Sequence, residues 1–311
     1  MKIYHNINEI DFNVNRVISI GGFDGIHLGH QKIFEIQIRE AVKHNIKQLV
    51  ITFDPLPKIF FNKNNNKSIL ISTKEKIKVL KKMKIDELFV IKFDEEFSDL
   101  SALDFIELLI NKIGFKIYIV GENHTFGKNC EGNLTLLKTF SKRSNIPFEV
   151  CGVKSITKNG NVVSSTLIKK LILDGNIDNA NKLLGHHYFI IGKVIGGDRI
   201  GNKLGFPTAN IKVSDNKIIP KNGVYLVQVY LQDKKYFGTA NIGFRPTIKD
   251  LSNICIEVHI LDFKDDVYGA ELEIKFLQYI RAEKKFNNVN ELAVQIKKDI
   301  DLCRKITDGI S

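Results

Sequence analysis

Two histidines stand close together near the start of the chain, in the stretch GGFDGIHLGH at residues 21–30. His27 and His30 follow an apolar run typical of a buried strand and precede a run with helical spacing. The glycines let the backbone turn tightly and approach a ligand, and a helix N-terminus offers free N–H groups to phosphate. Imidazole groups can donate to phosphate oxygens and stabilise the charge that develops during phosphoryl-group transfer. The stretch predicts a phosphate-binding site with His27 and His30 as candidate catalytic residues.

The elements that position this stretch follow from the apolar pattern of the first half. Strands are predicted at 16–20, 49–53, 88–93, 116–120 and 148–153. Helical spacing predicts helices between them, including 30–44, 73–83 and one capped by Ser101. This βαβ order indicates an α/β fold with a parallel sheet and helices on both faces. Ligands bind such a sheet at the carboxyl ends of its strands, which is where the histidines stand. Residues 57–72 are predicted to be a mobile surface loop, and a substrate lid is one reading of it.

The pattern changes after about residue 185. Alternating apolar residues recur in five stretches separated by Gly and Asn/Asp turns, namely FIIGKVIGG, VYLVQVYL, KYFGTANIG, ICIEVHILDF and ELEIKFLQYI. They predict an antiparallel sheet closed into a β-barrel, followed by a terminal helix over 289–306. A chain of 311 residues is long enough for two cores. We therefore predict two domains, 1–185 and 186–311.

Several motifs, taken in order, resemble a known family. GGFDGIHLGHQ resembles the signature of the HxGH nucleotidyltransferase superfamily, and its form is most similar to that of the bacterial bifunctional riboflavin kinase/FAD synthetases. Similar matches follow along essentially the whole chain, at TFDPLP (52–57), VGENHTFGKNCEG (120–132), VSSTLIKK (163–170), LGFPTANI (204–211), NIGFRPT (241–247), EVHILDF (257–263) and YIRAEKKF (279–286).

For the N-terminal domain, the resemblance implies transfer of the adenylyl group of ATP to FMN, which gives FAD and pyrophosphate. Besides the two histidines, the implied ATP-binding residues are Gly21, Phe23, Gly29, Asn123, Ser165, Thr166 and Lys169. Phe61 and Phe126 are the implied walls of a flavin site. The alternative readings are ordinary ones: Asn123 as a turn residue, Ser165 and Thr166 as helix caps, and the phenylalanines as core.

For the C-terminal domain, the resemblance implies transfer of the γ-phosphoryl group of ATP to riboflavin, which gives FMN. Thr208 and Asn210 would bind ATP phosphates and Mg²⁺, a hard cation that prefers oxygen ligands, and Asn210 counts among the catalytic residues. Glu257 is the candidate base, because a carboxylate in an apolar strand is costly unless it has a task; the alternative is a Glu that faces outward. Arg281 and Phe286 are implied flavin contacts, and the loop at 196–205 could cover the phosphates.

Departures from the family pattern fall mainly in the first half. Lys169 stands where the family has an arginine, and lysine lacks the bidentate fork. His124 replaces a phenylalanine, and Leu56 replaces a histidine. These changes leave two alternatives open: a riboflavin kinase whose adenylyltransferase domain is weakened or silent, or a different HxGH nucleotidyltransferase.

A third alternative is a nucleic-acid-binding protein, and the composition favours an enzyme over it. The net charge is +11, but only seven of the 46 basic residues are arginine, and the lysines are spread along the chain. The barrel segments lack interleaved aromatic and basic residues. The four cysteines form no zinc or disulfide pattern. We expect a cytoplasmic protein, monomeric or weakly homo-oligomeric, whose partners are riboflavin, FMN and ATP, with no nucleic acid and no membrane.

Overall fold

The computed structural model describes residues 1–62, 69–196, 205–232, 234–244 and 254–309. The chain divides into two compact units, Met1–Ser165 and Thr166–Ser311. The domain boundary near residue 185 remains a prediction. The division between the two compact units falls before residue 185, because the helix over Ile177–Leu184 packs against a strand of the second unit.

The first unit contains the predicted parallel sheet. Its strands are β1 (Lys2–Tyr4), β2 (Arg16–Ile20), β3 (Lys47–Asp54), β4 (Glu87–Lys92), β5 (Ile117–Gly121) and β6 (Glu149–Val153). They pair in the order β1-β4-β3-β2-β5-β6, and every pair is parallel. The direction of chain progression reverses between β2 and β5, and open sheets bind ligands at such a switch point. The α/β prediction is confirmed. Strand β1 was not predicted, because three residues are too few to show a period.

The helices of the first unit connect these strands. They are α1 (Leu28–His44), α2 (Pro57–Phe61), α3 (Thr73–Lys82), α4 (Glu95–Ser98), α5 (Ala102–Lys112) and α6 (Leu134–Arg143). Ser101 caps α5 as predicted, accepting from the amide of Asp104. The loop predicted over 57–72 is wrong in part. Its start is helix α2, and Ile69, Leu70 and Ile71 are buried, because apolar side chains at the end of a polar stretch still reach the core. Residues 63–68 lie outside the described residues.

Helix α1 is fixed to the sheet by a buried polar side chain. Gln37 donates to the carbonyls of Val17 and Leu49 at 2.9 and 3.0 Å and accepts from the hydroxyl of Ser19 at 2.7 Å. Buried amides are costly unless they are hydrogen-bonded, and here all three partners lie on β2 and β3. The helix N-terminus is thereby held at the carboxyl end of β2.

The second unit confirms the predicted barrel. Helices α7 (Ser165–Leu173) and α8 (Ile177–Leu184) lead into it, after a small hairpin of β7 (Thr157–Lys158) and β8 (Asn161–Val162) in the first unit. Its strands are β9 (Phe189–Ile195), β10 (Ala209–Lys212), β11 (Gly223–Leu231), β12 (Lys234–Phe244), β13 (Ile254–Ile260) and β14 (Glu271–Arg281). They close antiparallel in the order β10-β13-β12-β11-β14-β9. Helix α9 (Val289–Asp308) follows. Among the described residues, no helix is both long enough and apolar enough to cross a membrane.

Candidate active sites

The turn between β2 and α1 carries backbone strain. Phe23 and Ile26 have φ angles of 45° and 44°, a left-handed conformation that is unusual for a bulky or β-branched residue. Both side chains are buried. Such residues cost about 1–3 kcal/mol each and persist where their surroundings over-determine them, most often at functional sites. The turn therefore has a conformation that other contacts must hold.

The two histidines of this turn stack on each other. The ring centroids of His27 and His30 are 3.6 Å apart, with 20° between the planes, and the edge of Phe23 packs against His30. Gly29 makes room for this arrangement, since a Cβ there would lie 3.2 Å from the His27 ring. His27 is the N-cap residue of α1 but makes no side-chain capping bond. The structure thus places Gly21, Phe23, His27, Gly29 and His30 together, as predicted.

Burial makes both imidazoles neutral at pH 7. It lowers the pKa of His27 to about 4, partly opposed by the Asp24 carboxylate. It lowers the pKa of His30 well below its ordinary value, and electrostatic repulsion from a protonated His27 and from the Lys76 ammonium lowers it further. The Nδ1 atom of each ring is buried without a hydrogen-bond partner among the described residues. A neutral imidazole has one N–H donor, which suits hydrogen bonding to phosphate rather than ion pairing with it.

Three side chains outside the histidine pair hold the turn in place. The Asp24 carboxylate accepts from the amides of Leu70 and Ile71 at 2.7 and 3.3 Å. The Ser165 hydroxyl donates to the Asp24 carbonyl at 2.7 Å. The Lys76 ammonium donates to the Gly22 carbonyl at 2.8 Å. Sequence reasoning selected Ser165 but missed Asp24 and Lys76; the one available signal was a lysine on the apolar face of α3.

An apolar cavity of about 360 Å³ opens at the same edge of the sheet. Aromatic side chains dominate its lining, including Phe53, Phe61, Phe93, Phe97, Phe105 and Phe126. Phe61 and Phe126 therefore line one cavity, whereas Phe23 is buried against Phe34 and does not line it. Cavities of this size with mostly apolar walls are typical of small-molecule sites.

His124 and Asn123 lie at the end of β5, next to β2 in the sheet. His124 lines the cavity and stacks on Phe126, with centroids 6.0 Å apart, and burial lowers its pKa to about 4. Its ring is therefore neutral at pH 7, which suits the apolar wall of the cavity because a charged ring would be costly there. Asn123 is exposed and donates to the Ser155 hydroxyl at 3.2 Å. Thr166 and Lys169 lie on α7, in the part counted with the second unit, so their predicted phosphate contacts stay predictions.

In the barrel, the two strands that carry Asn210 and Glu257 are neighbours. Asn210 on β10 is directly opposite Glu257 on β13, so the two side chains share a face of the barrel. Asn210 is buried and Glu257 is half-buried. The Cys255 thiol donates to the Asn210 side-chain oxygen at 3.2 Å and lies 3.8 Å from a Glu257 carboxylate oxygen.

Glu257 does not lie among apolar side chains, contrary to the expectation from its strand sequence. Its apolar neighbours Ile256 and Val258 point into the core, while Glu257 lies on the opposite, outward face of β13. Its carboxylate is therefore not buried among apolar side chains, and strand alternation explains why an apolar sequence can carry it. Its candidate role now depends on its position opposite Asn210.

A second cavity, of about 340 Å³, is lined by Thr208, Asn210, Asp265 and Tyr268, among others. His259 Nδ1 donates to the Pro207 carbonyl at 2.8 Å and fixes the segment that carries Thr208. Residues 197–204, most of the predicted loop at 196–205, lie outside the described residues. So do residues 245–247, the last three of the motif at 241–247.

Arg281 and Phe286 lie near the C-terminal helix. The Arg281 guanidinium binds both oxygens of Asp299 on α9, at 2.6–3.0 Å, and this pair ties the end of β14 to that helix. Phe286 is half-buried and lines a shallow depression with Asn288 and Glu291. Their contacts with a flavin stay predictions.

The fold and the two sites define a class of protein: a nucleotidyltransferase-type α/β unit followed by a phosphotransferase-type barrel. Models of two families match the corresponding parts of the chain, FAD synthetase over residues 9–167 and riboflavin kinase over 184–307. The chain belongs to the bifunctional riboflavin kinase/FMN adenylyltransferase family.

Full-length relatives carry that family name. The chain is 40% identical to one from Buchnera aphidicola subsp. Schizaphis graminum, covering 97% of this chain and 96% of the relative. It is 37% identical to one from Listeria monocytogenes, covering 96% and 94%. A crystal structure described as a macrolide-efflux protein from Streptococcus pneumoniae matches with a TM-score of 0.87 at 32% identity, over 97% of this chain and 98% of that one.

Proposed function

We propose that this chain phosphorylates riboflavin to FMN in its barrel and adenylylates FMN to FAD in its α/β unit, using ATP in both reactions. The observation that carries the proposal is the stacked, neutral histidine pair at the N-terminus of α1, beside an apolar cavity. A phosphate site next to an aromatic-lined cavity suits a substrate that joins a phosphate to a flat apolar ring, as FMN does.

In the adenylyl transfer, a phosphate oxygen of FMN forms a bond to the α-phosphorus of ATP, and the bond to the β-phosphate breaks to release pyrophosphate. The chain supplies orientation and charge stabilisation rather than covalent chemistry. His27 and His30 donate to the ATP phosphates, and the first-turn amides of α1 add partial positive charge. Phe61 and Phe126 hold the flavin ring, and Asn123, Ser165, Thr166 and Lys169 contact ATP.

In the phosphoryl transfer, Glu257 accepts the proton of the terminal ribityl hydroxyl of riboflavin. The hydroxyl oxygen forms a bond to the γ-phosphorus of ATP, and the bond from that phosphorus to ADP breaks. Thr208 and Asn210 present oxygen donors to one cavity, and this donor set fits Mg²⁺. When bound, Mg²⁺ would neutralise charge on the phosphates. Asn210 orients the nucleotide from its buried position opposite Glu257.

The departures in the first unit are compatible with both activities. Lys169 retains the positive charge of the arginine it replaces, and His124 is a neutral ring in an aromatic wall. A silent adenylyltransferase domain and a different HxGH enzyme are not favoured, because both family models match. A cytoplasmic location and a monomeric or weakly associating state stay predictions.

The test is to incubate the purified chain with riboflavin, ATP and Mg²⁺ and to separate the flavins over time. We expect FMN first and FAD later, with release of pyrophosphate. FMN without FAD would confine the proposal to the kinase, and the absence of both products would contradict it.

A further inference from the structure

A buried lysine lies beneath the histidine turn. The Lys76 side chain is 1% exposed. Its ammonium donates to the Gly22 carbonyl at 2.8 Å and to the Thr52 hydroxyl at 2.7 Å. The contacts join α3 to the carboxyl ends of β2 and β3, which are adjacent in the sheet.

A charge in this position is costly. Transfer of an ammonium group from water into a protein interior costs several kcal/mol even after relaxation, and an apolar side chain would fill the same space without that cost. The contacts indicate what offsets it. Gly22 immediately precedes Phe23, the first residue of the turn with a positive φ, so an ammonium on the Gly22 carbonyl fixes the backbone where the strain begins.

The charge also reaches the catalytic pair. Lys76 is close enough to His30 to disfavour a second positive charge on that ring. The Asp24 and Asp54 carboxylates face the ammonium from the turn and from the end of β3 and stabilise it. Asp54 is itself held by the Thr73 hydroxyl at 2.7 Å. The turn thus rests on a fixed positive charge, while its two imidazoles remain neutral donors.

We propose that Lys76 is a positioning residue for adenylyl transfer: its ammonium fixes the Gly22 carbonyl, and through it the strained turn that carries His27 and His30, and places positive charge beneath the ATP phosphates. The inference rests on the proposed adenylyltransferase activity. It adds a residue that is too deeply buried to touch substrate and acts through the backbone and the field it creates.

The proposal predicts a specific pH dependence. Burial lowers the pKa of Lys76 to about 8, although Asp24 and Asp54 partly oppose the shift. The ammonium is present below that pH and is lost as the pH rises above it. The kcat/KM for FMN adenylylation should therefore fall above about pH 8, because this parameter reports groups of the free enzyme.

The first test is Lys76→Met, which keeps an unbranched side chain only one atom shorter and removes the charge. We expect FAD formation from supplied FMN to fall about 10²-fold, mainly in kcat, since small misplacements cost that much. Riboflavin phosphorylation by the same chain should be unchanged. Lys81→Met, an exposed position on the same helix, is the matched control and should alter neither activity.

The second test separates positioning from mere packing. Lys76→Arg keeps its charge at all accessible pH values, so the alkaline loss of kcat/KM should disappear. Thr52→Val removes one acceptor of the ammonium, so the same loss should begin at lower pH. Comparison with the unaltered chain at each pH cancels the titration of the substrates.

Failure of the role proposed for Lys76 and failure of the proposed adenylyltransferase activity give different results. A chain that forms no FAD contradicts the adenylyltransferase activity itself. A chain that forms FAD, but whose Lys76→Met variant does so at an unchanged rate, overturns the role of Lys76. The role is also overturned if the decrease in kcat/KM at alkaline pH begins at the same pH in Thr52→Val as in the unaltered chain.

Discussion

In the first unit the two candidate catalytic residues come from one continuous stretch, the turn at residues 21–30, whereas in the second unit they come from strands far apart in sequence. His27 and His30 are neighbours on a single helix start. Asn210 and Glu257 meet because β10 pairs with β13. A site of the first kind depends on local strain and on the contacts that hold it, and a site of the second kind depends on strand register.

The two sites also differ in burial and charge. In the first, desolvation holds the imidazoles neutral, and the positive charge comes from a lysine below them. In the second, the candidate base lies half-buried on the outward face of a strand. The comparison predicts that substitutions and acid will affect the two activities separately, with the first unit more sensitive to acid.

The largest effect is expected for His30→Asn. It removes an imidazole from the stacked pair, and loss of a preorganised donor costs about 10²–10³ in kcat. FAD formation from FMN should fall by that factor, with riboflavin phosphorylation unchanged. Both rates are measured by separating the flavins. His44→Asn, at the far end of the same helix, should alter neither rate; a parallel loss in the kinase reaction would contradict the separation of the sites.

Glu257→Gln should have the converse effect. Loss of a general base typically costs about 10²–10⁴ in rate, so FMN formation should fall into that range while supplied FMN is still converted to FAD. Glu271→Gln, at an exposed barrel position, is the control for a general effect on the barrel. Unchanged FMN formation would remove Glu257 from the mechanism.

Acid should destabilise the first unit preferentially. The folded-state pKa values of His27 and His124 are lowered to about 4, from an ordinary value of 6.5, so the unfolded chain binds protons that the folded unit excludes. The free energy of unfolding is therefore retained above about pH 6.5 and lost as the pH falls toward 4. In the second unit His187 also has a lowered pKa, but its ring is exposed. Calorimetry between pH 7 and 5 should show a larger decrease for the first unit; equal shifts would contradict the account.

The smallest effect is expected for His124→Phe, which restores the aromatic residue of the family pattern. The buried Nε2 atom of His124 has no hydrogen-bond partner among the described residues, and an unsatisfied buried group costs about 1–3 kcal/mol. The variant should raise the unfolding temperature of the first unit by a few degrees and leave the KM for FMN nearly unchanged. A marked rise in that KM would show instead that the imidazole contacts the flavin.

Much of the fold could be predicted because buried strands and helices impose regular patterns of apolar residues on the sequence. Buried parallel strands are continuous apolar runs, and antiparallel barrel strands alternate, so the main strands of both units were predicted. Strand β10 was missed as a strand because four residues, three of them inside the motif LGFPTANI, show too little alternation. Helix α2 was missed because a proline and an adjoining asparagine-rich segment read as loop.

Residues of the candidate sites could be selected from motifs, but their mutual placement could be predicted only where they adjoin in sequence. The histidine turn was recognisable from its glycines and its place before a helix. Lys76 was not selected, because its place on the apolar face of α3 is a weak signal in a helix that carries four other lysines. The relation of Asn210 to Glu257 required the register of β10 and β13, which sequence alternation alone does not fix.

The most direct test of two separate sites in one chain is to mix two variants that each lack one of the two activities. His30→Asn should convert riboflavin only to FMN, and Glu257→Gln should form no FMN but adenylylate FMN supplied in solution. Incubated together with riboflavin, ATP and Mg²⁺, the two variants should form FAD that neither forms alone. If the mixture accumulates FMN without FAD, although each variant retains its single activity, the sites do not act independently and the account is contradicted.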